Sequence, residues 1–334
     1  MGMRYSDVYH RTDMKQPNLN LGDHVVLVTG AAGFLGSHVV RSLSADGVEA
    51  VHPVTRRDCD LRRPEDVKSL FDRIEPTVVI HLAAAQGGVA WQKANQATAF
   101  LDNSRMMDSL VMASVESGVK RFLFTASSIC YPADASIPYM EESLWDGPPE
   151  PAHMGYARAK RAGIALLQAA HDQYGLSSGV VMPANMYGPG ARFEPDRSNV
   201  VAATLRKCIE ARDRGDASIT CWGSGDAIRE FLFVEDAARG ILRATACLEQ
   251  PHPLNLGTGL ETPIRDLVES ACRVTGFTGD VVWDTNRPEG APRVCMDIAR
   301  MRHHLEWLPE TSLEEGLRRT LAWWEPIHQT TIRS

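Results

Sequence analysis

The chain has 334 residues, of which 44% are hydrophobic and 23% are charged, and its formal net charge is −7. These values are ordinary for a globular protein with a full hydrophobic core, and the negative charge argues against a general nucleic-acid or anionic-membrane surface. No apolar run reaches the roughly 18 residues that predict a membrane span. Seven scattered cysteines predict reduced thiols in a cytoplasmic protein, and the histidines form no ligand-spaced cluster, so we expect no metal site.

Short β-branched runs alternate with helical patterns through the first half of the chain. The order and the short connections predict an α/β fold, a doubly wound parallel sheet of the Rossmann type, with a smaller mixed α/β substrate domain. Strands are predicted at 24–30, 49–55, 77–84, 121–127 and 178–183, and helices at 33–47, 63–74, 99–118 and 156–174. Further on, the sequence predicts a helix near 200–213, a strand at 218–222, and a strand-helix unit at 229–245 that returns to the sheet.

The first strand runs into a glycine-rich turn, Gly30-Ala-Ala-Gly33-Phe-Leu-Gly36. Gly30 permits a tight turn, Gly33 lets the backbone approach a pyrophosphate, and Gly36 allows the helix to pack close to the sheet. Free N–H groups at the start of the helix, at Phe34 and Leu35, would face the phosphates. The pattern predicts a dinucleotide-binding loop.

The second strand ends in Thr55-Arg56-Arg57-Asp58. Chains that bind NAD usually have an acid at this point, whereas guanidinium groups match the oxygens of a 2′-phosphate. Asp58 lies close by, but the two arginines favour NADP(H) as the cofactor. Asp60 and Leu61, which follow Cys59, fall where an adenine amino group would be bound.

Tyr156 and Lys160 lie four residues apart at the start of a predicted helix, so their side chains share one face. A nearby ammonium favours the phenolate and lowers the pKa of a tyrosine from its usual value of about 10. Tyr156 can then donate a proton to a carbonyl oxygen as hydride reaches the carbon. Ser127, at the carboxyl end of the fourth strand, can hydrogen-bond the same oxygen, and the three residues together predict a carbonyl-reducing site.

Further motifs complete a known pattern. They are HLAAAQGG (81–88), SSICYP (127–132), EPAHMGYARAKRAGI (150–164), VMPANMYGP (181–189), CWGSGDAIREFLFVEDAARG (221–240), NLGTG (255–259) and RPEGAPR (287–293). With the glycine loop, these motifs resemble those of the extended short-chain dehydrogenase/reductases, and within them the GDP-L-fucose synthase branch. The resemblance covers about residues 24–325.

Members of that branch are NADPH-dependent GDP-4-keto-6-deoxymannose 3,5-epimerase/4-reductases and usually homodimers, joined through helices that match 99–118 and 156–174. By resemblance, the catalytic residues are Ser127, Tyr156 and Lys160. Lys160 also counts among the cofactor contacts that the resemblance implies, with Ala83, Ala84, Pro183, Asn185 and Met186.

The resemblance also implies a set of substrate contacts. They are Gly88, Ser128, Asn185, Lys207, Trp222, Arg229 and Glu289. A guanine stacked near Trp222 and a diphosphate bound by Arg229 and Lys207 agree with the chemistry of these side chains. The alternative for Trp222 is a half-buried core residue.

The segment after Ser127 departs from the branch. Its members have Ser-Ser-Cys-Ile-Tyr-Pro and use the cysteine, with a histidine, as acid/base for epimerisation, whereas the matching positions here hold Ile129 and Asn199. Neither side chain exchanges a proton near neutrality. Cys130 lies one residue away, where an extended backbone would turn it to the other side, so we predict a packed thiol. His153 could replace the missing acid/base, although a loop histidine is the simpler interpretation.

The reduction residues are present and the epimerisation residues are not. We therefore predict an NADPH-dependent 4-keto reductase of a GDP-linked 4-keto sugar, a 6-deoxyhexose or heptose, without C3/C5 epimerisation. The alternatives are a bifunctional epimerase/reductase that uses Cys130, an NAD-dependent nucleotide-sugar 4-epimerase, a 4,6-dehydratase, and an NADP-binding redox sensor. Ser128-Ile129 in place of an Asp-Glu pair disfavours the dehydratase, and the retained Tyr156 and Lys160 disfavour the sensor.

The predicted organisation has three parts. They are a polar N-terminal arm at 1–22, an NADP-binding domain at 23–186 plus about 231–257, and a nucleotide-sugar-binding domain at about 187–230 plus 258–330.

Overall fold

The computed structural model describes residues 18–195, 197–287 and 290–333, with side chains to residue 330. The described residues form two compact units. Unit 1 contains the residues up to Pro183, with Ala237–Leu256 and Asp297–Leu308. Unit 2 contains Ala184–Asp236, Gly257–Met296 and the residues from Pro309.

The regular elements are numbered in chain order. The strands are β1 (Val26–Thr29), β2 (Val51–Val54), β3 (Val78–His81), β4 (Arg121–Thr125), β5 (Ser178–Pro183), β6 (Asn185–Tyr187), β7 (Ser218–Trp222), β8 (Ile228–Arg229), β9 (Phe231–Phe233), β10 (Pro253–Leu256), β11 (Thr262–Pro263) and β12 (Asp280–Asp284). The helices are α1 (Phe34–Ala45), α2 (Pro64–Ile74), α3 (Val89–Ala94), α4 (Gln96–Glu116), α5 (Met154–Tyr174), α6 (Val200–Arg214), α7 (Val234–Cys247), α8 (Ile264–Thr275), α9 (Ala299–Leu305) and α10 (Leu313–Arg333).

Unit 1 is built on a parallel sheet with the strand order β10-β5-β4-β3-β1-β2. Val26 of β1 lies beside Val51 of β2 and Val78 of β3. Every residue of β1, β3, β4, β5 and β10 is buried, as expected for a parallel sheet with helices on its faces. The predicted doubly wound α/β architecture is confirmed.

The strand order places a switch point beside β1. β2 lies on one side of β1 and β3 on the other. In open parallel sheets, ligands bind beyond the carboxyl ends of the strands at such a point. The loops after β1 and β3, and the turn after β4, therefore lie at the edge of the sheet where a ligand is expected.

Unit 2 is a mixed α/β unit of short strand pairs and packed helices. β6 runs parallel to β9, β7 runs parallel to β12, and β8 is antiparallel to β11. α8 packs against both α6 and α10. Buried and exposed side chains alternate along β7, so one face of this strand lies on the interior of the unit.

Two segments take a different place from the one we predicted. The strand expected to lead residues 229–245 back to the central sheet pairs instead with β6, and β10 is the strand that completes the sheet. Asp297–Leu308 belongs to unit 1 because α9 packs against β10. The ligands assigned to the two domains stay predictions, and most of the predicted arm at 1–22 lies outside the described residues.

Candidate active site

The loop between β1 and α1 has the close packing that a dinucleotide-binding turn requires. Gly30 has a φ of +69°, and a Cβ there would lie 2.7 Å from the amide N of Ala83. A Cβ on Gly36 would lie 2.1 Å from the carbonyl O of Gly30. Gly33 is the N-cap of α1 and has no side chain to cap the helix, so the amides of the first turn suit a phosphate. These amides belong to Phe34, Leu35 and Gly36.

In the loop after β2, two arginines are exposed, and the nearest acid, Asp58, accepts hydrogen bonds from within the loop. Arg56 and Arg57 are exposed. Asp58 accepts hydrogen bonds from Oγ1 and the backbone N of Thr55, at 2.7 and 2.8 Å, and these bonds lower the pKa of its carboxyl. Because the acid is held by its own turn, the loop suits a 2′-phosphate better than a 2′-hydroxyl.

The next predicted cofactor contacts, Asp60 and Leu61, are held in place. Arg62 pairs with Asp60 at 2.8 Å and with Asp102 of α4 at 3.2 Å. The hydrogen bonds from Arg62 lower the pKa of Asp60 to about 2. Leu61 is buried, so its backbone rather than its side chain is the part that could contact a base.

A buried polar pair supports the loop after β3. Oγ1 of Thr29 lies 2.7 Å from Nδ1 of His81 and accepts hydrogen bonds from the amides of Leu82 and Ala83. Burial lowers the pKa of His81 well below its usual range, so the imidazole is neutral at pH 7. Ala83 and Ala84 are half-buried beside this pair. Sequence reasoning missed Thr29 and His81 because polar residues at strand ends carry no local signal of pairing.

Tyr156 and Lys160 both lie on the buried face of α5, with Nζ of Lys160 5.6 Å from the centre of the Tyr156 ring. The ammonium donates a hydrogen bond to the carbonyl O of Thr125 at 2.9 Å and lies 4.6 Å from the ring centre of Phe124. These contacts attach Lys160 to the carboxyl end of β4. Ser127, two residues further on, is half-buried.

Close packing between α4 and α5 sets the position of Tyr156. A Cβ on Gly155 would lie 2.1 Å from the carbonyl O of Gln96, and the Gly155 amide donates to Oε1 of the same residue. Nε2 of Gln96 donates to the carbonyls of Pro151 and Ala152, each at 3.1 Å. The residue before Tyr156 therefore has to be glycine at this packing distance, which the sequence alone did not indicate.

Burial changes the pKa of both residues of the pair. It raises the pKa of the Tyr156 phenol, and it lowers the pKa of the Lys160 ammonium to about 8. The predicted lowering of the Tyr156 pKa by Lys160 is therefore wrong, because the cost of burying a phenolate dominates and leaves this pKa raised. The phenol is therefore protonated near pH 7, which is the form that donates a proton to a carbonyl oxygen.

The turn after Ser127 separates the side chains of Ile129 and Cys130. Residues Ser128–Cys130 form a 3-10 helix, so the extended backbone that we expected is wrong. Successive side chains of a 3-10 helix still diverge by about 120°. Ile129 is half-buried, like the two serines before it, whereas Cys130 is completely buried.

Cys130 is held beneath α5. Its thiol donates a hydrogen bond to the carbonyl O of Ala157 at 3.7 Å, and burial raises its pKa to about 11. Arg161 donates to the carbonyls of Cys130 and Gly147, both at 2.8 Å, and so ties the turn to α5. The structure confirms the packed thiol that we predicted.

The other two positions considered for epimerisation have structural contacts of their own. Oδ1 of Asn199 accepts the amide of Ala202 at 3.0 Å and caps α6, while its Nδ2 donates to the carbonyl O of Met186 at 3.1 Å. Nε2 of His153 lies 3.7 Å from Oε2 of Glu150, and burial lowers the pKa of the imidazole. His153 directly precedes α5.

In unit 2, an exposed indole lies beside two cations. Trp222 is 58% exposed, so the alternative of a half-buried core residue is wrong. Nζ of Lys207 lies 5.9 Å, and the guanidinium carbon of Arg287 5.3 Å, from the centre of a Trp222 ring. Lys207 also donates to the carbonyl O of Thr220 at 2.8 Å. Arg287 was not predicted, because its approach to Trp222 depends on the pairing of β7 with β12.

Arg229 lines a cavity of about 130 Å³ in unit 2. The other lining residues are Asn185, Met186, Asn199, Val200, Val201 and Phe231. The adjacent Glu230 is buried and accepts hydrogen bonds from the amides of Thr258, Gly259 and Met296 at 2.6, 2.9 and 2.8 Å. This carboxylate, which sequence reasoning missed, holds the backbone beside Arg229 against two distant segments.

The remaining predicted contacts occur in both units. Pro183 ends β5 and is buried, Gly88 is exposed at the start of α3, and Ser128 is half-buried. Asn185 donates to the carbonyl O of Glu230 at 3.4 Å, and Glu289 lies outside the described residues. Over the described ranges, His, Cys, Asp and Glu side chains form no group of three that could hold a metal ion. The helices of the same ranges include none with the length and apolarity needed to cross a membrane.

Residues 26–257 match the sequence family described as "NAD dependent epimerase/dehydratase family". The match covers more than half of the chain, so the protein belongs to this family. A GDP-L-fucose synthase of Sinorhizobium fredii (strain NBRC 101917 / NGR234) is 37% identical over 88% of this chain and 93% of its own. The Escherichia coli (strain K12) GDP-L-fucose synthase is 35% identical over 89% of this chain and 95% of its own.

A structural comparison agrees with the sequence comparisons. The crystal structure of a GDP-L-fucose synthetase from Naegleria fowleri bound to NADP has a TM-score of 0.83 at 27% identity, and the match covers 92% of this chain and 96% of that chain. Within the family, the protein lies in the GDP-sugar-modifying branch of NAD(P)-dependent reductases and epimerases to which the GDP-L-fucose synthases belong.

Proposed function

We propose that the protein is an NADPH-dependent reductase of a GDP-linked 4-keto sugar, a 6-deoxyhexose or heptose, that does not epimerise C3 or C5. One observation carries the proposal. At the turn after β4, the half-buried position holds Ile129, and the thiol of Cys130 is buried beneath α5.

NADPH would be held by the switch-point edge of unit 1. The first-turn amides of α1 would bind the pyrophosphate, and Arg56 and Arg57 would bind the 2′-phosphate. The NADP found in the Naegleria fowleri relative supports this cofactor. When bound, NADPH supplies the hydride for C4 of the ketone. Further contacts proposed for the cofactor are Ala83, Ala84, Lys160, Pro183, Asn185 and Met186.

Tyr156 would supply the proton for reduction. Its phenol donates this proton to the carbonyl oxygen at C4, and the hydroxyl of Ser127 donates a hydrogen bond to the same oxygen. Lys160 is charged below about pH 8 and stabilises the negative charge that develops on the phenol as the proton leaves.

Epimerisation would need two groups that this chain lacks at the matching positions. One group removes the proton beside the ketone, and another returns a proton on the opposite face. Ile129 has no exchangeable proton, and the Asn199 amide does not titrate and caps α6. Cys130 stays protonated near neutrality because burial raises its pKa to about 11.

Unit 2 would bind the nucleotide. The exposed indole of Trp222 offers a stacking surface for guanine, and Lys207 and Arg229 would bind the diphosphate. Gly88, Ser128, Asn185 and Glu289 stay predicted substrate contacts. The homodimer and the cytoplasmic location also stay predictions.

Incubation of a GDP-linked 4-keto-6-deoxyhexose with the protein in deuterated water, without NADPH, should introduce no deuterium at C3 or C5. A reductase without the acid/base pair leaves those C–H bonds intact. After NADPH is added, the same sample should consume it and reduce C4. Mass spectrometry and NMR of the recovered sugar measure both outcomes.

Two parallel samples make this measurement decisive. A protein-free sample gives the spontaneous exchange, and an enzyme of the branch that retains cysteine and histidine at the positions of Ile129 and Asn199 gives the positive signal. Deuterium above the protein-free level would identify the bifunctional epimerase/reductase instead. Failure to oxidise NADPH with either a 6-deoxyhexose or a heptose substrate would contradict the proposed reductase.

The turnover number for reduction should fall as the pH rises through about 8. The lowered pKa of Lys160 means that its ammonium is charged below this pH and neutral above it. A neutral amine no longer stabilises the phenolate that forms on Tyr156. A pH series of kcat at saturating NADPH and sugar measures the effect, with the thermal unfolding midpoint at each pH as the control for unfolding. A kcat that stays constant well above pH 8 would remove Lys160 from this role.

A further inference from the structure

Two helices of unit 2 bring a pair of thiols together. Sγ of Cys208, on α6, lies 3.8 Å from Sγ of Cys272, on α8, within the distance of a sulfur hydrogen bond. All seven cysteines lie in the described part of the chain, and all are free thiols. The proposed reduction uses neither Cys208 nor Cys272.

The two thiols differ in their access to solvent. Cys208 is completely buried, whereas Cys272 is half-buried. The other five cysteines are buried as well, so Cys272 is the thiol that a soluble reagent reaches first. A hydrogen bond from Cys208 also lowers the pKa of Cys272, because it stabilises the thiolate.

We propose that Cys208 and Cys272 form a redox-modification site, which closes to a reversible disulfide when it meets a small-molecule disulfide such as oxidised glutathione. The sulfur atoms need to approach from 3.8 Å to about 2 Å, by rotation of the two side chains and a shift of the helices that carry them. The proposal is independent of the reaction that the protein catalyses.

The exchange balances in two steps. The thiolate of Cys272 attacks one sulfur of oxidised glutathione, its S–S bond breaks, and one glutathione leaves as the thiolate. Cys208 then attacks the sulfur of Cys272 and expels the second glutathione, whose sulfur takes up the Cys208 proton. Two protein thiols are oxidised, one glutathione disulfide is reduced to two thiols, and the two cysteine protons end on glutathione.

The bridge would restrain the helix that carries a proposed substrate contact. Lys207 directly precedes Cys208 on α6, and it is the residue whose ammonium lies beside Trp222. A disulfide to α8 would therefore fix α6 within unit 2 near a residue proposed to bind the diphosphate.

Oxidised glutathione added to the folded protein should remove two hydrogen atoms from its intact mass, without a lasting glutathione adduct. Subsequent unfolding and alkylation should label five of the seven thiols, and reduced glutathione should restore all seven. Cys208→Ser should stop at a glutathione adduct on Cys272, and Cys272→Ser should form neither adduct nor bridge. Cys247→Ser, which removes a buried thiol of α7, is the matched control and should behave like the wild type.

Peptide mapping of the wild-type protein tests the pairing without any variant. The expected result is one cross-linked peptide pair that contains Cys208 and Cys272. Seven alkylatable thiols after exposure, a stable adduct on wild-type Cys272, or a bridge between other cysteines would each overturn the proposal.

Discussion

Replacement of Tyr156 by phenylalanine should lower the turnover number for ketone reduction by about 10²–10⁴-fold. The substitution removes the hydroxyl that we propose as the proton donor and keeps the ring, which lies buried beside Lys160. The affinity for NADPH should change little, because the amides of α1 and the arginines after β2 are untouched. Steady-state kinetics with a GDP-linked 4-keto sugar, together with a fluorescence titration of NADPH, separate the two effects.

Tyr174 provides a matched control on the same helix. It ends α5 and is 49% exposed, so Tyr174→Phe removes the same atom from α5 at a site remote from Lys160. This variant should keep the wild-type turnover number. A Tyr156→Phe variant as active as Tyr174→Phe would show that the phenol is not the proton donor.

Gly36→Ala should weaken NADPH binding by roughly 10- to 100-fold, the loss expected when one or two charge-assisted phosphate contacts, worth about 1.5–3 kcal/mol, are disturbed. The added Cβ would lie 2.1 Å from the carbonyl O of Gly30 and 2.8 Å from Cα of Ala31, so α1 has to move away from the loop. Such overpacking also lowers the free energy of unfolding by about 1–3 kcal/mol. A fluorescence titration and a urea unfolding curve measure the two losses.

Gly22→Ala is the control for this substitution. A Cβ on Gly22 would have its nearest neighbour, Oδ1 of Asn20, at 3.5 Å, which is an ordinary contact. Gly22→Ala should therefore bind NADPH like the wild type. If the Gly36→Ala variant bound NADPH with the affinity of the wild type, the close approach of α1 to the loop would not be needed for cofactor binding.

Most strands and helices of unit 1 were predicted from local sequence patterns. The β-branched runs became the buried strands β1, β3 and β5, and α2 begins at Pro64, one residue after the start of the helix predicted at 63–74. These features depend on residues that are close together in the chain, such as glycine at a turn or proline in a first helical turn. They are readable without knowledge of the fold.

Contacts between residues that are distant in the chain could not be predicted from local patterns. Phe231–Phe233 has the pattern of a strand, but nothing local shows that it pairs with β6 rather than with the central sheet. Glu230 accepts a hydrogen bond from Met296, and Arg287 approaches Trp222. Both contacts join residues far apart in the sequence, and neither was predicted. From the sequence alone, the side chain of Asp58 could have bound the ribose 2′-hydroxyl. In the structure, its carboxylate accepts a hydrogen bond from Thr55 instead.

The sequence by itself determined the dinucleotide-binding turn, the spacing of Tyr156 and Lys160, and the replacement of the branch's cysteine by Ile129. Each of these depends only on the order of the residues along the chain. Only the tertiary structure decided that Cys130 is buried beneath α5 and that burial keeps the Tyr156 phenol protonated. Burial and pKa depend on every neighbour that surrounds a group, and in this protein those neighbours come from strands and helices that are widely separated along the chain.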